Sequence, residues 1–187
     1  EVTRGSTQIL KGIDLDIFPG EMIALLGANG SGKTTLLRSL VGLEKPASGT
    51  IRVHGEELTG WNRPRSLRKA ATLVTQNPEH QFVSSTVSKE LAVGGAPPAR
   101  VEELLEQFHL AGHRGAHPLT LSGGQARRLS VATMAGAPHA LVVLDEPTYG
   151  QDWANTQELM SFIGALRERG RCVLMATHDL ELARRHC

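Results

Sequence analysis

Cysteine is scarce in this sequence, and long apolar runs are absent. The two cysteines, Cys172 and Cys187, are too few for a disulfide framework. Cys172 lies in the apolar run 171–176, which predicts a buried, reduced thiol in a cytosolic protein. No run approaches the roughly 18 apolar residues that a membrane span requires, and the first residues lack the character of a signal peptide. We therefore expect a chain that is soluble alone and attaches to a membrane only through a partner.

An excess of charge of either sign is also missing. The 187 residues carry a formal net charge of +1, which provides no field to attract nucleic acid or anionic lipid. The basic run Arg63, Arg65, Arg68 and Lys69 near Trp61 has no interleaved aromatic residues, so it is interpreted as a solvated surface. No nucleic-acid partner is expected. An apolar content of 40% and a charged content of 21% are typical of a folded domain.

Short apolar runs alternate with helical patterns along most of the chain. Strands are predicted near residues 22–26, 50–54, 72–76, 140–144 and 171–176, and helices near 33–43, 153–168 and 179–186. This alternation predicts an α/β fold with a mostly parallel sheet covered by helices. Three helical segments then fill the middle, at 87–93, 99–110 and 123–135. We predict one domain over 1–187, with a helical subdomain at about 77–137 inserted into a sheet core of about 1–76 and 138–187.

A glycine-rich loop follows the first predicted long strand. It reads Gly27, Ala28, Asn29, Gly30, Ser31, Gly32, Lys33, Thr34 and Thr35 and leads into a predicted helix. Glycines allow consecutive backbone N–H groups to point at an anion at a helix N-terminus. The spacing is that of a phosphate-binding loop, in which Lys33 contacts the β- and γ-phosphates and Thr34 offers its hydroxyl to Mg²⁺. A strand-to-helix turn with an incidental lysine is the weaker alternative, because spacing, strand and helix agree.

Two carboxylates end another apolar run. Residues 140–144 are apolar and lead to Asp145 and Glu146, at the carboxyl end of a strand, where open α/β sheets bind ligands. Asp145 is predicted to hold Mg²⁺ through water. Because side chains alternate along a strand, Glu146 is expected to point the other way and to orient an attacking water. The pair alone is also typical of a buried strand that ends at a loop, and the phosphate loop favours the functional interpretation.

A second glycine-containing loop precedes a helix in the middle of the chain. It comprises Leu121, Ser122, Gly123, Gly124 and Gln125. A serine and two glycines at the start of a helix present backbone N–H donors to an anion. Taken alone, the loop is equally compatible with a simple N-cap.

The phosphate loop, residues 121–125 and the strand that ends in Asp145 and Glu146 follow one another in this order along the chain. In this order they resemble the nucleotide-binding domain of ATP-binding cassette (ABC) proteins, over essentially the whole chain. The resemblance implies a P-loop NTPase (RecA-like) core with an N-terminal antiparallel β portion and an inserted helical subdomain. It implies that residues 121–125 face the phosphate loop of a second cassette, identical or related, with two ATP molecules and Mg²⁺ between them. Asp152 would belong to the D-loop. The implied catalytic residues of an ATPase are Glu146, His178, Gln76 and Lys33, and the implied metal-site residues are Thr34, Gln76 and Asp145.

Two further segments give a narrower resemblance. Residues 75–81 read TQNPEHQ and residues 147–152 read PTYGQD. They are similar to the ATPases of energy-coupling factor transporters, prokaryotic importers of vitamins and transition-metal ions. This resemblance implies integral membrane partners and a place on the cytoplasmic face of the cell membrane. The alternative is a soluble ABC ATPase that acts on ribosomes or DNA, which the balanced charge and the absence of basic arms disfavour.

Other chemically capable side chains are interpreted as structural. His109, His113 and His117 are spaced by four residues, as metal ligands on one helix would be. Glycine and proline interrupt that helix, so a solvated loop is expected instead. Trp153, at the start of a predicted helix, is expected to be a packing residue.

Overall fold

The structure is a computed structural model that describes residues 1–4, 7–53, 56–57 and 70–187. The basic run near Trp61 lies outside the described residues. The strands are β1 (Val2–Arg4), β2 (Thr7–Leu10), β3 (Met22–Leu26), β4 (Arg52–Val53), β5 (Glu56–Glu57), β6 (Ala71–Val74), β7 (Leu141–Asp145) and β8 (Cys172–Thr177). The α-helices are α1 (Lys33–Leu40), α2 (Val87–Ala92), α3 (Pro98–Gln107), α4 (Gly123–Gly136), α5 (Trp153–Glu168) and α6 (Leu180–His186). Short 3₁₀ helices span Pro78–Gln81, Ala111–His113 and Pro118–Thr120.

Four parallel strands form the central sheet in the order β3-β8-β7-β6. The register pairs Asp145 with Ala176 and Val74 with Leu144. The carboxyl ends of β6, β7 and β8 therefore lie side by side at one edge. This geometry confirms the predicted mostly parallel α/β sheet, and it places the segments that follow these strands close together.

Apolar clusters lie on both faces of this sheet. In β7, Val142 and Leu144 belong to one apolar cluster and Val143 to the other. Helix α1 packs on the Val143 side through Leu37, and α5 packs on the opposite side through Ile163. Because both faces are buried, the central strands are continuous apolar runs in the sequence. This is why the sequence located them to within one or two residues.

The remaining strands form two antiparallel pairs. β1 pairs with β2 and β4 pairs with β5, which confirms an antiparallel portion near the N-terminus. The predicted strand at 50–54 corresponds to β4, which is outside the parallel sheet. Its connection to β5 comprises only residues 54–55. A parallel pair requires a crossover of about a dozen residues or more, so this short connection permits only antiparallel pairing.

The segment between β6 and β7 contains helices and no strand. Its buried side chains, among them Leu91, Leu104 and Leu129, share one apolar cluster with Val173 of the sheet. The helical middle of the chain is thus packed on one face of the sheet, and its division into a subdomain at about 77–137 remains a prediction. Within the part of the chain that the structure describes, no helix combines the length and apolar character needed to cross a bilayer.

Cys172 departs from its predicted burial. It is the first residue of β8 and is half-buried. Its thiol is free and lies 3.1 Å from the carbonyl oxygen of Phe18. Burial still raises the pKa of this thiol, which disfavours the reactive thiolate.

Candidate active site

The glycine-rich loop connects β3 to α1, and its conformation requires glycine. Gly30 and Gly32 have φ values of +80° and +95°, in the left-handed region that glycine adopts at little cost. A Cβ on Gly32 would lie 2.8 Å from a methyl carbon of Leu10 on β2. A Cβ on Gly27 would lie 2.6 Å from the Ser31 hydroxyl oxygen. The loop is therefore a tight backbone cradle at a helix N-terminus, the geometry that binds phosphate.

Lys33, the first residue of α1, turns back over this loop. Its Nζ donates hydrogen bonds to the carbonyl oxygens of Gly27 at 2.7 Å and Ala28 at 3.2 Å. The same nitrogen lies 3.8 Å from Glu146 Oε1. Because Lys33 is only 9% exposed, its charge is poorly screened by water and acts strongly on an anion in the loop.

Thr34 and Asp145 meet at the carboxyl edge of the sheet. Thr34 Oγ1 donates a hydrogen bond to Asp145 Oδ2 at 2.8 Å. Burial raises the pKa of the Asp145 carboxyl, the Thr34 hydrogen bond opposes that rise, the charge of Glu146 adds to it, and Lys33 lowers it again. A hydroxyl and a carboxylate oxygen in contact are hard ligands of the kind that Mg²⁺ prefers.

Glu146 does not follow the alternation of β7. The strand ends at Asp145, and Glu146 has a φ of +48°, a left-handed conformation that is uncommon outside glycine. In this conformation Glu146 Oε1 lies 3.8 Å from Lys33 Nζ and Oε2 lies 2.9 Å from His178 Nδ1. The expectation that Glu146 points away from Asp145 is wrong. Asp145 contacts Thr34 and Glu146 contacts Lys33, and these two partners are adjacent residues of α1. Alternation applies only inside the strand.

Gln76 lies two residues beyond β6 and is exposed. The pairing of β6 with β7 places it close to the end of β7, where Asp145 lies. Its backbone carbonyl accepts a hydrogen bond from Arg127 Nη2, and the Thr75 carbonyl accepts one from Arg127 Nη1 at 2.8 Å. Sequence reasoning missed Arg127. No signal in the sequence pointed to it, because Arg127 shares its helical face with Ser130, another polar residue, and only the structure shows that both are buried.

Residues 121–125 form the N-terminal cap of α4. Ser122 N donates to Gln125 Oε1 at 2.9 Å, and Gln125 N donates to Ser122 Oγ at 3.4 Å, which closes a capping box. Gln125 Nε2 also lies 2.9 Å from His113 Nε2. Ser122 and Gly123 are exposed. The cap thus satisfies its own polar groups and leaves its serine and first glycine at the surface.

Asp152 caps α5 and lies close to this loop. Its Oδ1 accepts a hydrogen bond from Asn155 N at 2.8 Å. A Cβ on Gly124 would lie 3.4 Å from Gln151 Oε1 and 3.5 Å from Asn155 Oδ1. The predicted D-loop and residues 121–125 of the same chain are therefore neighbours.

Trp153 is at the surface, so the expectation of a packing role is wrong. The residue is 62% exposed. The guanidinium carbon of Arg185 lies 5.0 Å from the centre of its ring, within cation–π distance. Trp153 is the first residue of α5, and burial along this helix begins one turn later, at Thr156.

The three spaced histidines lie on separate elements. Helix α3 ends at Gln107, before His109. His113 ends one 3₁₀ helix, and His117 caps the next. The predicted interruption of the helix is confirmed. The expectation of a solvated loop is wrong for His113, which is half-buried and contacts Gln125.

Comparison of the sequence with known protein families agrees with this geometry. A family profile described as "ABC transporter" matches residues 10–149, a range that includes the phosphate loop, residues 121–125 and both carboxylates. The chain belongs to this family. It is an ATPase domain of the family, as the order of the motifs predicts.

Several relatives are similar over nearly the whole chain. "Putative HMP/thiamine import ATP-binding protein YkoD" of Bacillus subtilis is 44% identical over 96% of this chain and 33% of its own length. CbiO1 of Clostridium perfringens, described as part of the ABC transporter complex CbiONQ, has a TM-score of 0.83 at 30% identity, covering 96% of this chain and 75% of CbiO1. The ATP-binding cassette MJ0796, a dimeric post-hydrolysis structure with ADP and Pi, has a TM-score of 0.84 at 25% identity. The match covers 97% of this chain and 86% of the MJ0796 chain.

The curated relatives are much longer than this chain. The alignments span 33% of the B. subtilis protein, 29% of a Methanosarcina acetivorans ABC transporter ATP-binding protein and 33% of one from Streptomyces avermitilis. The chain thus spans about a third of the length of these relatives.

Proposed function

We propose that this chain binds and hydrolyses ATP in a pair of cassettes that powers a membrane transporter. The observation that carries the proposal is the meeting of five side chains at the carboxyl edge of the parallel sheet. These side chains are Lys33, Thr34, Asp145, Glu146 and His178. Phosphoryl transfer depends mainly on positioning and charge neutralisation, and this set supplies both.

Each side chain has a role that its position supports. The loop N–H groups and Lys33 hold the β- and γ-phosphates, since the ammonium lies directly over the loop carbonyls. Glu146 orients the attacking water, because its buried Oε1 has no hydrogen-bond partner within the described residues. His178 is 59% exposed and contacts Glu146, and from this position it would contact the γ-phosphate.

The chain offers ligands that fit Mg²⁺. Thr34 and Asp145 present two oxygens in direct contact, and Gln76 follows the neighbouring strand. Burial makes the Asp145 carboxylate costly to ionise, which a divalent cation would reverse. When bound, Mg²⁺ would neutralise negative charge on oxygens of the β- and γ-phosphates. We assign Thr34, Gln76 and Asp145 to this site.

Residues 121–125 are proposed to complete the site of a second cassette. Their capping groups are bonded within the chain, while Ser122 and Gly123 are exposed. A Cβ on Gly123 would have no atom of the described residues within 4 Å. In the closed pair, a phosphate held on the facing cassette would lie next to Gly123. ATP bound on both surfaces then favours the closed pair, and hydrolysis removes that preference.

The names of the relatives support import through membrane partners. YkoD is named for HMP/thiamine import, and CbiO1 is described as part of a transporter complex. We infer an energy-coupling factor importer of a vitamin or metal ion, with this chain on the cytoplasmic face of the cell membrane. Copurification with a tagged protein should recover integral membrane chains, and recovery of ribosomes or DNA would instead support a soluble ABC ATPase.

Substitution of Gly123 tests the pairing directly. Alanine fits at this position in the single chain and favours helix more than glycine does. Gly123→Ala should therefore keep the melting temperature and lose most ATPase activity, because a facing cassette would meet the new methyl group. Gly164→Ala is a matched control, since a Cβ on Gly164 in α5 would also lie more than 4 Å from the atoms that the structure describes around it. Full activity in Gly123→Ala would contradict the proposed pairing.

A further inference from the structure

We propose that Arg127 is a positioning residue that ties Gln76 to the helix bearing residues 121–125. This inference rests on the proposed function, in which Gln76 serves the nucleotide of its own chain and residues 121–125 serve the facing one. Through Arg127, the placement of Gln76 would depend on the placement of residues 121–125. The residue contacts neither nucleotide and acts through Gln76.

Arg127 links its helix to a distant part of the chain through two hydrogen bonds. Both terminal nitrogens donate to backbone carbonyls of consecutive residues, Nη1 to Thr75 and Nη2 to Gln76. The two contacts cross 52 and 51 residues of sequence. A planar guanidinium with two parallel donors fixes direction as well as distance, which a lysine ammonium does not.

Burial argues that these bonds have a purpose beyond packing. Arg127 is 4% exposed, and burial is the cause that lowers the pKa of its guanidinium. Its Nε is buried and has no hydrogen-bond partner in the described chain. Among the described residues, no carboxylate lies within ion-pair distance of it. A buried cation held only by neutral carbonyls is costly for stability, which is consistent with a functional role.

The end of β6 leaves those two carbonyls available. Gln81 bonds to two other polar groups of this strand end, since its Nε2 donates to Leu73 O at 2.7 Å and its Oε1 accepts from Thr75 N at 3.0 Å. Gln81 in turn lies 3.5 Å from the Ser130 hydroxyl of α4. Helix α4 therefore holds the segment after β6 at two points one turn apart, through Arg127 and Ser130.

This arrangement connects two functional segments through one rigid helix. Ser122 caps α4, and Arg127 lies in its second turn. A displacement of residues 121–125 toward a facing nucleotide would move the guanidinium and, with it, the backbone of Gln76. The exposed Gln76 side chain would then be aligned or misaligned at the metal by the state of the opposite site.

A double-mutant cycle in the full chain tests this coupling. Arg127→Lys keeps the charge and loses the paired donors, so the Mg²⁺ concentration for half-maximal ATPase should rise by about 2- to 10-fold, the effect of one lost hydrogen bond. Gln76→Ala should raise the same concentration. In the Gln76→Ala background, Arg127→Lys should then have no further effect.

The outcomes distinguish this inference from the proposed function. Additive effects in the cycle would overturn the role of Arg127 and leave the role of Gln76 intact. No effect of Gln76→Ala on the Mg²⁺ requirement would overturn both. Arg128→Lys is the matched control, because Arg128 is the adjacent arginine of α4 and bonds to Glu158 Oε2 at 2.7 Å instead.

Hydrogen exchange of the nucleotide-free protein gives a readout that does not depend on turnover. Arg127→Lys should accelerate exchange in the peptide covering residues 75–77, and Arg128→Lys should leave it unchanged. Arg127→Gln provides a second variant that retains a single neutral donor, in case the lysine is poorly accommodated. Unchanged exchange at 75–77 in both Arg127 variants would overturn the inference.

Discussion

His178 Nδ1 lies 2.9 Å from Glu146 Oε2, while Lys33 Nζ lies 3.8 Å from the other oxygen of the same carboxylate. Glu146 is thus placed between a residue that follows β8 and a residue of the phosphate loop. Its Oε2 is bonded and its Oε1 is buried without a hydrogen bond within the described residues. The carboxylate is oriented before any substrate binds, which is the preorganisation that catalysis of phosphoryl transfer requires.

Glu146→Gln should retain ATP binding, lose turnover and accumulate closed dimers. Glutamine keeps the shape of the side chain but removes the charge that polarises water. Removing one preorganised group typically lowers the rate by about a hundred- to a thousand-fold. Sizing chromatography with ATP and Mg²⁺ would detect the dimers. A monomeric variant that hydrolyses ATP at the rate of the unsubstituted chain would refute this role.

Lys33→Ala should weaken nucleotide binding itself. The substitution removes the cation over the loop and its bonds to the Gly27 and Ala28 carbonyls. It also removes the ammonium group that lies 3.8 Å from Glu146 Oε1. Titration with a fluorescent ATP analogue measures the effect, with Lys45→Ala as a control because Lys45 is exposed. Equal affinities of the two variants would count against the role of Lys33.

Asp145→Asn should raise the stability of the nucleotide-free chain while abolishing Mg²⁺-dependent hydrolysis. Burial raises the pKa of the Asp145 carboxyl above its ordinary 3.8. The folded state therefore holds this proton more tightly than the unfolded state. The stability that protonated Asp145 contributes is complete below about pH 3.8 and is lost as pH rises through the higher folded pKa.

The pH dependence of melting checks the sign of this effect. The difference in Tm between Asp145→Asn and the unsubstituted chain should be small near pH 4 and grow toward pH 7, at roughly 2–4 °C for each kcal/mol gained. Added Mg²⁺ and ATP should raise the Tm of the unsubstituted chain more than that of Asp145→Asn. A difference that shrinks as pH rises would contradict the assignment.

Gly32→Ala should damage the phosphate loop more than Gly30→Ala. Both residues have a positive φ, so both substitutions impose backbone strain of about 1–2 kcal/mol. Only at Gly32 does the new methyl group also clash, 2.8 Å from Leu10. Urea unfolding and nucleotide titration of the two variants separate strain from clash. Equal losses would show that β2 does not constrain the loop.

The sequence predicted some features of the site well because their causes are local. The loop that ends at Lys33 follows from its glycines, the bounds of β3 follow from a continuous apolar run, and those of α5 follow from helical periodicity. Sequence reasoning failed at Glu146, where the chain leaves the strand with a positive φ. It also failed at Arg127 and Trp153, because it could not tell which surface another element covers.

The amino-acid sequence by itself determined the motifs, the alternation of strands and helices, and the residue types that are proposed to bind phosphate. These depend on neighbours within a few positions, through backbone freedom and the burial of apolar side chains. Only the tertiary structure decided which side chains meet. Thr34 and Asp145 are 111 residues apart and Glu146 and His178 are 32 apart. Their contacts depend on the strand order and register of the sheet, which arise from packing of the whole chain.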